Sequence, residues 1–298
     1  MTKHIYLISK KYSLLSAILL LMFSSCTKDV LKEKPLDFLA PENAYNTLTG
    51  IQQGITGLYY QFRRGWYDEG YNQDAFAIMV CGVGTDVAFH GENPGGNRKL
   101  VNYQFEMTPS NPEFVPYFWT ESYKLIQMAN VLMAGINASD DAIWTSTAQK
   151  NAYLAEAKFF RAWSYRFLVS LYGDVPLVTD AIKSAKTDFV RAPKADVYKL
   201  MEEDLTFAAA NLPEQGKVEA PGRITQGVAW NYLSEIYCSQ SKFQLAVDAA
   251  SKVIDGKGYA LMTHRFGSTV DVFNQVMFFW ISLHMEIKIW RKIPKLSG

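Results

Sequence analysis

Along most of the 298-residue chain, apolar residues recur with a helical rhythm. Ala44, Tyr45, Leu48, Ile51, Ile55, Leu58 and Tyr59 follow one another at steps of three and four, with Pro41 and Glu42 placed as a helix start favours. A first helix is therefore predicted over 41–63. The same spacing predicts helices over 117–136, 148–172, 195–211, 225–240 and 243–254. In the helix over 148–172, Phe160, Ser164, Phe167 and Leu171 form one stripe and Phe159, Trp163, Arg166 and Val169 another, so it is covered on two sides. Gly173 and Pro176 stop it. From Trp66 to Pro116 the rhythm disappears while glycine and proline accumulate, which reads as a long irregular insertion of the kind that carries function. Only Leu100–Phe105, with Val101, Tyr103 and Phe105 alternating with polar residues, reads as a strand.

The last two helices carry a repeat pattern. Trp230, Leu233, Ser234, Tyr237, Phe243, Ala246 and Ala250 fall at tetratricopeptide spacings, although Ala250 and Val253 stand where that pattern has an aromatic residue and an alanine. Ala155–Leu171 with Val197–Leu212 forms an earlier pair with an unusually long link. The predicted fold is mainly all-α, a tetratricopeptide-like α-solenoid with a long irregular loop insertion at about 66–116.

Hydrophobic residues make up 49% of the chain and charged residues 20%, which excludes a disordered, collagenous or coiled-coil protein. The net charge is +1 with no long Lys or Arg run, which argues against a nucleic-acid partner.

Lys3, Lys10 and Lys11 precede an apolar run, Leu14–Phe23, that is too short to cross a bilayer and has the order of an export signal. Ser24-Ser25-Cys26 resembles the lipobox of bacterial lipoproteins, which implies a signal peptide over 1–25 and lipidation of Cys26; the other reading is an ordinary signal peptide with a chance cysteine. Without residues 1–25 the chain has 27 basic and 29 acidic side chains, a net charge of −2. Residues 26–40 are charged and mixed, as suits a tether with lipid chains as the membrane anchor. Cys81 and Cys238, far apart in sequence, read as packing residues rather than as a disulfide or zinc site.

The segment Ala155-Glu156-Ala157-Lys158-Phe159-Phe160-Arg161-Ala162-Trp163-Ser164-Tyr165, followed by Leu171-Tyr172-Gly173-Asp174-Val175-Pro176-Leu177, resembles the signature of the SusD/RagB family. Pro41–Tyr45, Tyr123–Asn130 and Gly222–Gly227 agree in order, so the resemblance covers residues 26 to about 260. It implies an outer-membrane nutrient-binding lipoprotein on a tetratricopeptide-like scaffold. Such a protein captures an oligosaccharide or peptide and passes it to a SusC-like TonB-dependent transporter, without catalysis or cofactor. The signature itself reads as packing, with Phe159, Phe160, Trp163 and Phe167 burying rings. The family pattern is longer than this chain. After Asn274-Gln275 the composition shifts to Val276–Leu283 and a basic end with Lys288, Arg291, Lys292 and Lys295, so residues 276–298 read as an out-of-frame tail or as an amphipathic terminal helix.

No G-x-S-x-G, H-E-x-x-H, Walker or EF-hand pattern is present, so no catalytic or metal site is predicted. Gly82-Val83-Gly84 lacks a third glycine, and the histidines are scattered. Asp68-Glu69, Asp140-Asp141 and Glu202-Glu203-Asp204 could supply glycosidase carboxyls, but adjacent acids on a helix such as Glu202 and Glu203 read instead as a solvated face. Residues 66–119 hold 11 aromatics in 54 residues, more than packing of one loop requires. Rings cover the C–H faces of sugars while amide, carboxylate and guanidinium groups take hydroxyls. Trp66, Tyr67, Asp86, Asn97 and Arg98 are the candidate ligand-binding residues, whereas Tyr103, Phe105, Phe118 and Trp119 are assigned to packing. A scaffold that binds a protein or peptide, and a truncated fragment without function that exposes an apolar face, are the competing readings.

Overall fold

The computed structural model describes residues 44–67, 115–256 and 258–261. Thr47 opens the first helix by accepting the Gly50 N–H on its Oγ1 at 3.1 Å, as an N-cap should. Helix α1, Leu48–Tyr67, fills most of the span predicted at 41–63 and runs four residues further; residues 41–43 of that span lie outside the described residues, and Ala44 is helical. Arg64 in its last turn suits the negative helix end. Trp66 and Tyr67, assigned by sequence to the insertion, are thus helical. Helix α2, Val115–Ala138, likewise takes in Pro116, which is tolerated in a first turn. The strand expected at Leu100–Phe105, the insertion over 68–114, the leader, the tether and the tail lie outside the described residues.

Helix α3, Thr147–Tyr172, is the hub. Ser146 caps it by accepting from Gln149 N at 3.1 Å, and Gly173, at φ +70, ends it in a conformation that only glycine adopts freely. Its apolar stripes point in every direction because α1, α2, α4 (Lys194–Asn211) and α5 (Gln226–Ser239) all pack on it. Helix α6, Phe243–Ile254, packs on α5. The order is that of an α-solenoid, each helix resting on its predecessor, and both predicted helix pairs are present. Described residues include no helix long and apolar enough to cross a membrane.

Two glycines set the approach of α1 and α2. A Cβ on Gly54 would sit 2.8 Å from the Tyr45 ring, and one on Gly135 would sit 2.6 Å from it. Tyr45 is wedged where neither helix has a side chain to offer.

The link from α3 to α4 leaves Gly173 in extended form. Its first residues make the short strand β1, Val175–Pro176, paired antiparallel with β2, Arg191–Ala192, in the register Val175 to Ala192 and Pro176 to Arg191. Sequence reading missed this ladder because each strand is two residues long. Pro193 has no side chain to cap α4, so Asp174 Oδ1 accepts the Lys194 N–H at 2.8 Å from twenty residues upstream.

Candidate functional site

Phe160 stands near the centre of a ring cluster. Tyr59 meets it edge-on at 4.8 Å between centroids, Phe62 lies 5.6 Å away, and Phe62 in turn meets Trp163 at 4.5 Å. On the far side Phe159 meets Tyr232 of α5 at 5.4 Å. These rings line a groove of about 400 Å³ between α1, α3 and α5, with Arg223 and Asn231 as polar wall groups. Apolar lining with few polar groups is the usual character of a small-ligand pocket.

The wall at Gly222-Arg223-Ile224 is fixed by charge. Glu156, buried in α3, accepts from Tyr59 Oη at 2.7 Å and pairs with Arg223 Nη2 at 2.7 Å, as an ion pair rather than an aligned hydrogen bond. Arg223 Nη1 also reaches Glu219, which accepts from Tyr153 Oη at 2.7 Å and Gln52 Nε2 at 2.8 Å. Ile224 N donates to Tyr59 Oη at 2.7 Å. Burial pushes the Glu156 carboxyl above the usual range, and Arg223 and Tyr59 offset only part of that. For Arg223, burial acts to lower the pKa, but Glu156, Tyr153 and Tyr59 outweigh it and hold the guanidinium charged.

A second network holds the extended link. Arg161 donates from Nε and Nη2 to both carboxylate oxygens of Asp204 in α4, at 2.7 and 2.9 Å, and from Nη1 to Asn130 Oδ1 and the Thr179 carbonyl. Lys158 Nζ reaches the same carboxylate at 2.7 Å. Asn130 donates to the Val178 carbonyl, Tyr123 to that of Pro176, and the Tyr165 hydroxyl accepts from Val178 N at 2.6 Å. Residues 176–182 have no full sheet to satisfy their backbone, so side chains of α2 and α3 do it. A shallower groove of about 310 Å³ runs beside this strap, between Trp119, Tyr123 and Phe189.

Burial pushes the Tyr165 and Tyr172 hydroxyls up to about 12 and Tyr123 upward as well; for Tyr165 the Val178 N–H relieves part of it. A tyrosine whose folded pKa lies above the unfolded value of about 10 adds stability that is fully present below pH 10. That stability is lost as pH rises through 12. In an alkaline titration, the chain should therefore stay folded to about pH 10 and then lose circular dichroism as buried tyrosinate absorbance appears. Tyrosinate signals for every ring at pH 10 with the fold intact would contradict the burial of Tyr165.

Of the residues selected from sequence, Trp66 and Tyr67 sit on the last turn of α1, beyond the groove-lining Phe62 and Arg63. Their side chains, with Asp86, Asn97, Arg98 and Cys26, lie outside the described residues. Phe118 is buried and Trp119 packs on Tyr123 and Tyr172, as assigned, while Tyr103 and Phe105 are outside the description. Two readings are corrected. The solvated face read at Glu202 and Glu203 holds for Glu203 alone, since Glu202 accepts from Gln240 and Lys242 and the adjoining Asp204 is fully buried. Cys238 is exposed rather than packed, because it falls two positions off the buried line Ala229, Leu233 and Ile236 of α5. Glu156, Arg161 and Arg223 were not singled out as paired groups, although two of them interrupt the buried stripes of α3. Among the described residues no group of three His, Cys, Asp or Glu side chains is placed to hold a metal.

A SusD-like family model described as "Starch-binding associating with outer membrane" matches residues 92–238. The chain is 30% identical over 251 residues to SusD-like protein P2 of Formosa agariphila, covering 83% of this chain and 47% of the relative. To a SusD-like protein of Bacteroides ovatus it is 26% identical over 268 residues, 86% of this chain and 46% of the relative. A solved structure described as a laminarin-binding SusD-like protein superposes with a TM-score of 0.61 at 26% identity, over 74% of this chain and 47% of its own. A SusD homolog from Bacteroides thetaiotaomicron gives 0.62 at 23% identity over 75% and 43%, which speaks to the fold alone. The chain spans about half the length of these relatives. With the signature helix at the hub of an all-α solenoid, and relatives agreeing over more than four-fifths of its length, the chain belongs to the SusD-like family.

Proposed function

We propose that this chain binds a nutrient glycan of the laminarin or starch kind without cleaving it. The observation that carries the reading is the match to a laminarin-binding relative in both sequence and fold. Trp66 and Tyr67 offer rings for the sugar faces, and Asp86, Asn97 and Arg98 take hydroxyls. The helical backbone through Tyr67 supports the choice, since it carries those two positions on a rigid element next to the ring cluster at Phe62. Lipid chains on Cys26 anchor the protein at the outer membrane, and a SusC-like TonB-dependent transporter receives the glycan. The family model's association with the outer membrane agrees with that placement.

Affinity electrophoresis through gels containing laminarin or soluble starch tests the reading. Retardation is expected, without release of reducing ends. The Trp66→Ala, Tyr67→Ala double variant should bind at least about tenfold more weakly, the equivalent of about 1.4 kcal/mol. Unretarded wild-type protein, or sugar release that an Asp or Glu substitution abolishes, would sink the proposal.

A further inference from the structure

The turn that walls the groove is tied to α1 and α3 through side chains. It is bounded by Gly216 and Gly222, at φ +83 and +92, with nothing within 4 Å of where a Cβ would stand on either. Behind it the chain is pinned, because Gln226 N donates to the Pro213 carbonyl at 2.9 Å and the hydroxyls of Thr225 and Tyr259 pair at 2.6 Å. In front, its attachments converge on one buried carboxylate. Tyr59 Oη donates to Glu156 Oε2 and accepts from Ile224 N, while Arg223 grips Glu156 through Nε at 3.2 Å and Nη2 at 2.7 Å. Arg223 Nη1 also holds Glu219, so one guanidinium serves two carboxylates. Their settings differ. The Glu156 side chain is 6% exposed and that of Glu219, on the turn itself, 50%. The other groups around this cluster are Tyr153 of α3 and Gln52 of α1, which both donate to Glu219. Acids of the remaining helices on α3 are engaged elsewhere: Asp204 with Arg161 and Lys158, Glu235 with Arg166, and Glu121 with Gln61.

We propose that Glu156 is a proton-operated latch: when its carboxyl takes up a proton, Arg223 and Glu219 swing outward together about Gly222, and the groove opens along that wall while the helices stay packed. One proton weakens both attachments. A neutral Glu156 no longer holds the guanidinium, and its new O–H donates to Tyr59 Oη, competing there with Ile224 N for the same oxygen. Arg223 is not stranded, because Glu219 lies on the same turn and leaves with it as a neutral pair. Gly222, Arg223 and Ile224 line the groove, so their departure widens it. Burial raises the Glu156 pKa, and Arg223 is the largest influence holding it down. With Arg223 gone and α1 still over the carboxyl, the proton is bound more tightly than in the closed turn, so acid favours the open one. The closed turn is therefore complete above the raised pKa and lost as pH falls through it. The fold itself survives, since the raised value means that the folded chain holds this proton more tightly than the unfolded one.

Hydrogen exchange of the full chain, read by mass spectrometry with exchange times scaled for the intrinsic pH dependence of amide chemistry, follows the turn directly. From about pH 8 down to about pH 4.5, just above the ordinary glutamate value near 4.3, protection of the peptide holding the Ile224 N–H should fall about tenfold or more. Peptides of α3 and α4 should keep theirs. Glu156→Gln, which has the shape of the neutral acid, should show low protection at both ends of the range with an unchanged circular dichroism spectrum. Glu219→Gln leaves the buried pair in place and should retain the acid response, so it and the wild type decide the matter even if Glu156→Gln does not fold. Constant protection in the wild type overturns the proposal, as does a fall shared by α3 and α4. An acid response that survives in Glu156→Gln, or disappears in Glu219→Gln, overturns it as well. No sugar enters the measurement, so its failure leaves the glycan reading standing.

Discussion

Replacing Asp204 by alanine should destabilise the fold by about 3 to 5 kcal/mol, because it strands a buried guanidinium. Arg161 loses both of its carboxylate bonds, and Lys158 loses its ion pair with the same carboxylate. The side chain of Asp204 is 0% exposed, so water cannot replace it without opening the contact between α3 and α4. The damage also extends to the strap, since Arg161 Nη1 positions Asn130 and the Thr179 carbonyl. In urea the midpoint should fall while the slope stays constant, the sign of lost stability with an unchanged unfolding surface. A double change to Arg161→Met, Asp204→Leu should recover most of the loss, since an apolar pair avoids the desolvation of both ions. A loss below about 1 kcal/mol for Asp204→Ala would mean the network is solvated rather than sealed.

How far the sequence revealed this can be followed residue by residue. Helix α3 was legible as a helix covered on more than one side because its rings recur at three and four, and its end was legible in Gly173. The role of Arg161 was not, since its partner lies 43 residues further on, in another helix. Asp204 did carry a local signal. Val197, Leu200, Met201, Leu205 and Ala208 trace the buried stripe of α4, and position 204 falls on it, but the solvated reading of the adjacent Glu202 and Glu203 drew attention away from it. Arg223 was legible only as part of a turn before α5, because Glu156 is 67 residues away. Start and end positions were shifted where caps rather than periodicity decide them, as Thr47 does for α1. For the candidate site, sequence chose aromatic density, which brought Trp66 and Tyr67 onto α1 but said nothing of the groove that Phe62 and Trp163 form beside it.

Two phenylalanines of this chain should respond in opposite ways to truncation, and Phe160→Ala is the severe case. Its ring is 2% exposed and touches rings from both α1 and α3, with Phe159 at 5.8 Å adding to Tyr59 and Phe62. Removal forfeits the transfer energy of the ring and the edge-to-face contacts, and leaves a cavity that rigid neighbouring helices cannot close, for a loss of about 3 to 5 kcal/mol. Phe160→Leu should lose less, since most of the volume remains. Phe243→Ser on α6 should change unfolding by no more than about 0.5 kcal/mol, because that ring already faces water. Chemical denaturation of the three variants at low concentration makes the comparison. Equal losses for Phe160→Ala and Phe243→Ser would place Phe243 in a core contact. The unequal result fixes the cluster around Phe160 as the floor that shapes the groove, since the rings lining it from α1 and α3 rest on that one side chain.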